Sequence, residues 1–110
     1  MIDDTIGKIE ARIESADAVN PERRRELLEL LGTLKAEVAS LSETHEEQAE
    51  SIAGFTELST REATRSEQDP RLLKLSLEGL TSSVEGFERS HPNLVHIVNA
   101  ISNTLSNLGI

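Results

Sequence analysis

The residues with chemistry to offer are few: His45, His91, a run of arginines and many carboxylates. Glu88 and His91 stand three apart, a spacing that puts both side chains on one face of a helix. Carboxylate-bridged di-iron bundles use that Glu-x-x-His spacing, but they need two such motifs and further inward glutamates. His45 and His91 also fall in one layer of the apolar register described below, with Gln48 one layer further. Two imidazoles there could hold a metal or sense pH, since histidine titrates near neutrality. The simpler reading is a polar layer that fixes helix register, as a buried Asn does in coiled coils. His91 could also just cap a helix beginning at Pro92. His45, Glu88 and His91 are therefore the metal candidates, while the assignment preferred is no metal, no cofactor and no catalytic residue. There is no Gly-x-Ser-x-Gly, no P-loop and no His-Glu-x-x-His, the motifs that would mark a hydrolase, an NTPase or a zinc protease. An enzyme is not expected.

Arg23-Arg24-Arg25 is the one basic run. It could grip a phosphate or an acidic partner. Its neighbours Glu22, Glu26 and Glu29, several at i,i+3 or i,i+4 spacing, make a solvated charged face the plainer reading.

The elements that must position these groups come from a chain of 110 residues, the size of one domain. It carries 20 Asp and Glu against 11 Lys and Arg, a formal charge of -9. Such a balance disfavours nucleic acid and anionic membrane surfaces. With no cysteine there is no disulfide scaffold and no thiol chemistry. No apolar run approaches the roughly 20 residues that cross a bilayer, and the first residues lack a signal-peptide core. A cytoplasmic protein, bacterial by the resemblance given below, is the expectation.

Each proline reads as a helix start. Asn20-Pro21-Glu22 and Asp69-Pro70 place a capping side chain before Pro at the first helical position, and His91-Pro92 is a weaker version. Gly109 follows the last periodic residue, as a C-terminal cap does. No hairpin turn signal or alternating stretch suggests a strand, so the fold class is all-α. Apolar residues recur in steps of three and four: Ile2, Ile6, Ile9, Ile13, Ala16; then Leu27, Leu31, Leu34, Val38, Leu41, continuing through His45, Gln48, Ile52 and Phe55; then Leu73, Leu77, Leu80, Val84, Phe87, continuing through His91 to Leu94, Val98, Ile101 and Leu105. The spacing predicts one domain over 1–110 with helices at about 2–18, 21–64 and 70–108, the last kinked or broken at 90–92.

Reversed near 65–69, the two long helices form an antiparallel hairpin in which Leu34 faces Ile101 and Ile52 faces Val84. The first helix lies along one half and makes a three-helix section. The other half is then bare, and two helices alone bury too little to be stable. A second copy would cover it through Ile52, Phe55, Leu58, Leu73, Leu77, Leu80, Val84 and Phe87. The expected function is thus a non-enzymatic, self-associating interaction module, a homodimer with room for another protein partner. Two other functions stay open: a metal-binding bundle using His45, His91 and Glu88, and an acidic regulator of a basic partner. Were Pro92 to break the helix, a compact four-helix monomer would replace the dimer. Gly32, Gly54, Gly79 and Gly86 sit inside these helices, and close approach of another helix would explain the last two.

The run Phe87-Glu88-Arg89-Ser90-His91-Pro92-Asn93-Leu94 and the ending Leu105-Ser106-Asn107-Leu108-Gly109-Ile110, with Asn20-Pro21-Glu22-Arg23 before a leucine series, resemble the small bacterial proteins grouped as domain of unknown function 4404. The resemblance implies a helical protein and brings no activity or catalytic residue with it.

Overall fold

The computed structural model describes residues 2–17 and 19–108. Among these the elements are helices throughout: α1 (Ile2–Ser15), α2 (Pro21–Ser42), α3 (Glu46–Ala63), α4 (Pro70–Ser83) and α5 (Pro92–Leu108). The proline signals locate three of the starts. Asn20 Oδ1 accepts from the Arg23 N–H at 2.9 Å, and Asp69 Oδ1 accepts from Arg71 and Leu72 at 3.0 and 3.3 Å. These bonds satisfy backbone donors that the first helical turn leaves unpaired. Pro92 opens α5. The expected Gly109 cap lies outside the described residues.

The helix expected over 21–64 is two shorter helices, and the one expected over 70–108 with a kink or break at 90–92 is broken into two, over a longer stretch than expected. A helix over 21–64 would be about 66 Å long at 1.5 Å per residue, yet the longest dimension of the molecule is 37 Å. The first break is a tight reversal at Glu43–His45. There the Thr44 and His45 N–H groups both donate to the Leu41 carbonyl, at 3.1 and 2.8 Å. The second break runs from Val84 to His91 and precedes Pro92 rather than being caused by it. Gly86 sits in it with φ 97°, a left-handed conformation that glycine adopts without steric cost. The first helix also stops short of residue 18, at Ser15.

Because the chain turns back after α2, α3 returns through the middle of the bundle. It packs against α1, α2, α4 and α5, while α1 and α4 flank it without touching each other. The half expected to be bare is therefore covered within the one chain. Ile6, Ile9 and Ile13 from α1, the five periodic residues Leu27 to Leu41 of α2, Leu80 of α4, and Leu94, Val98, Ile101 and Leu105 of α5 are all buried in one core. Most of the periodic residues are inside, as their spacing requires; Gln48 and Phe55 are exposed. The elements that enclose them differ from the long hairpin.

Polar links fasten the helix ends. Arg12 donates to Thr64 Oγ1 at 2.8 Å, holding the end of α1 to the end of α3. Gln68 donates to the Ala63 carbonyl at 2.7 Å and to the Leu108 carbonyl at 3.4 Å. Thr104 donates to Glu26 Oε1 at 3.2 Å, joining α5 to α2.

Candidate functional site

The α3–α4 face carries the exposed apolar surface. Phe55 (36% exposed), Leu58 (38%), Leu72 (40%) and Leu75 (56%) are the large hydrophobic residues open to solvent among those described. Their placement follows from helix geometry. The Phe55 ring lies over Gly79, where a Cβ built on the glycine would stand 2.6 Å from Phe55 Cδ1. Leu58 is one turn beyond Phe55. Leu75 is one turn before Gly79, and Leu72 nearly one more. Counted from that contact, the four residues form one stripe along the outer groove between α3 and α4.

Of the residues expected to meet a second copy, Ile52, Leu73, Leu80 and Val84 are buried inside the single chain, and Leu77 and Phe87 are partly buried against the same core. Phe55 and Leu58 are accessible. Leu72 and Leu75 complete the stripe. Their off-seam spacing is visible in the sequence, but only the return of α3 singles them out from the core.

At the turn end of this stripe Glu62 is nearly buried and accepts from Arg65 Nη1 at 2.9 Å. The hydrogen bond and the carboxylate charge hold the Arg65 guanidinium above its ordinary pKa. Arg61 pairs with Glu57 at 3.3 Å.

At the other end of the bundle the break at 43–45 and the break before Pro92 bring His45 and His91 together. Their ring centroids are 6.2 Å apart, and each ring meets Phe87 edge-on, at 5.4 and 5.5 Å. Glu88 does not join them as a helical partner. It lies in the loop before His91 and accepts from the Gly86 N–H at 2.8 Å, so the Glu-x-x-His pair is not on a helix face. Gln48 is exposed. Among the described residues no group of three or more His, Asp or Glu side chains is arranged to hold a metal ion.

The arginine run divides its work. Arg24 donates to the carbonyls of Ile13, Ala16 and Val19 at 3.3, 2.9 and 3.1 Å, so it closes the C-terminal end of α1, where a cation is favoured. Arg23 pairs with Glu26 at 3.5 Å, and Arg25 is exposed. Gly79 is explained by close approach, of an aromatic ring rather than a helix backbone. Gly86 is explained by its φ, since nothing stands within 4 Å of a Cβ there, and Gly32 and Gly54 face open space. No helix among the described residues is long and apolar enough to cross a membrane.

The architecture is that of an all-α bundle. Residues 27–110 match the model of a family described as a domain of unknown function, DUF4404. The chain belongs to that family. No curated protein and no solved structure matches it.

Proposed function

We propose that the protein is a non-enzymatic interaction module that self-associates through the stripe formed by Phe55, Leu58, Leu72 and Leu75. The observation that carries this reading is the confinement of the exposed large hydrophobic residues, among those described, to the two adjacent helices α3 and α4. Scattered single residues of this kind are ordinary on a soluble surface; a contiguous row of them is the signature of a contact surface. A second copy fits the row because it carries the same four apolar side chains, and a two-fold axis through the middle of the stripe sets one row on the other. The arginines beside the row do not compete for a charged partner, since Arg61 is paired with Glu57 and Arg65 with Glu62 within the chain.

The test is solution mass by light scattering after size exclusion over a range of concentrations. The native chain should approach twice 12.1 kDa at the high end. Leu58→Glu combined with Leu75→Glu should give a folded monomer, because both positions are exposed in the single chain and the charges cost only the association. A native chain that stays monomeric at every concentration overturns the proposal. So does a double variant that dimerises like the parent.

A further inference from the structure

The bundle places two histidines from connections far apart in the chain side by side, and each is prepared in the same way. His45 ends the α2–α3 reversal and His91 ends the α4–α5 connection. Each follows a hydroxyl residue whose oxygen is hydrogen-bonded to the imidazole Nδ1: Thr44 Oγ1 at 2.8 Å from His45 and Ser90 Oγ at 2.9 Å from His91. When Nδ1 carries the proton and donates to that oxygen, the Nε2 lone pair of each ring is open to a ligand. Metal-binding histidines are held in the same fashion, by a hydrogen bond on the ring nitrogen that does not touch the ion.

The separation suits a shared ion. A metal–nitrogen bond of about 2.0–2.1 Å, added to about 1.2 Å from nitrogen to ring centre, puts each centroid about 3.2 Å from the metal. Two rings on one ion then have centroids roughly 5–6.5 Å apart as the N–metal–N angle opens from tetrahedral to linear. The observed 6.2 Å lies at the open end of that interval, an N–metal–N angle of about 150°, so a tetrahedral ion must draw the rings together by about 1 Å. The ring planes stand at 82°. Phe87, edge-on to both, limits their rotation and shields one side from water. We propose that His45 and His91 form a two-histidine site for a transition-metal dication that favours imidazole, Zn²⁺, Cu²⁺ or Ni²⁺, with water completing the coordination. Such an ion pins the α2–α3 reversal to the α4–α5 connection. It binds the folded chain because the unfolded chain does not hold residues 45 and 91 together. This site lies away from the apolar stripe and does not depend on self-association.

The experiment uses the full chain and ZnCl₂ or NiCl₂ as the probe, with thermal unfolding and titration calorimetry. Metal should raise Tm saturably, bind one to one and be reversed by EDTA. His96→Gln, at an exposed histidine on α5, should respond like the parent. His45→Gln and His91→Gln should each lose the response. Independently of any variant, Ni²⁺ should broaden the ring resonances of His45 and His91 and spare those of His96. No rise in Tm overturns the proposal, as does an equal rise in all variants, which would place the metal on the acidic surface.

Discussion

Replacing Gly79 with alanine tests the packing of α3 on α4 through a change of sign. In an open helix interior this substitution stabilises by up to about 1 kcal/mol, because alanine loses less backbone entropy than glycine. At position 79 the new methyl would stand 2.6 Å from Phe55 Cδ1, well inside contact distance. The ring must swing out or the helices must part, and overpacking of this kind costs about 1–3 kcal/mol. Gly79→Ala in the native chain should therefore destabilise by about 0–2 kcal/mol, the clash offsetting the propensity gain. Removing the ring removes the clash. In a Phe55→Ala background the same substitution should stabilise by up to about 1 kcal/mol, so the double-mutant cycle should return a coupling of about 1–3 kcal/mol. Gly32→Ala is the control, because nothing lies within 4 Å of a Cβ there. The assay is urea unfolding followed by far-UV circular dichroism, since the chain holds no Trp or Tyr to report by fluorescence. Protein concentration is held constant, because Phe55 lies on the proposed association surface and dimerisation would add to apparent stability. If Gly79→Ala stabilises the native protein as much as Gly32→Ala does, the ring is not seated on Gly79 and the register of the exposed stripe is wrong.

Two further substitutions test the connections. Gly86→Ala should destabilise by about 1–3 kcal/mol, measured in the same urea assay, because φ 97° is strained for any residue with a Cβ; Gly54→Ala, in open helix, should not. Arg24→Met should cost about 1–3 kcal/mol and raise amide exchange in the last turn of α1, whereas Arg25→Met should leave both unchanged.

The helix starts were the most legible part of the sequence. Asn20-Pro21 and Asp69-Pro70 act locally, through a side-chain oxygen and a proline ring, so no tertiary knowledge is needed to place them. The start of α3 offers no such handle. His45 makes no side-chain capping bond, and the reversal is made by backbone groups donating to Ser40 and Leu41 carbonyls. Glu46 and Glu47 in the first turn of α3 are the available hint. At the end of α4, Gly86 carries an ordinary helix-stop signal. The run Leu77, Leu80, Val84, Phe87, His91 hides it, because its spacing continues across a loop that is not helical. The same coincidence of spacing put His45 and His91 in one layer of a hairpin. The structure brings them together by a different route, two turns meeting at one end of the bundle.

Periodicity identifies which residues leave water, but not which segment covers them, because an apolar stripe is satisfied equally by a second copy or by the same chain folded back. The residues that decide between these outcomes lie on the second face of α3. A helix in a two-stranded hairpin needs one apolar seam, whereas α3 buries Ala49, Ala53, Thr56, Ser59, Thr60 and Ala63 as well as Ile52. All of those six are small, so neighbouring helices can come close on more than one side. Two of the hydroxyls are also self-sufficient: Thr56 donates to the Ile52 carbonyl and Thr60 to the Thr56 carbonyl, each at 2.8 Å. A hydroxyl satisfied within its own helix can be buried without a polar partner from outside, so residues that read as a wet surface become packing surface. That second face lets α3 pack against α1, α2 and α5 as well as α4, in place of a second molecule. It also confines the remaining uncovered apolar area of α3 to the edge that bears Phe55 and Leu58.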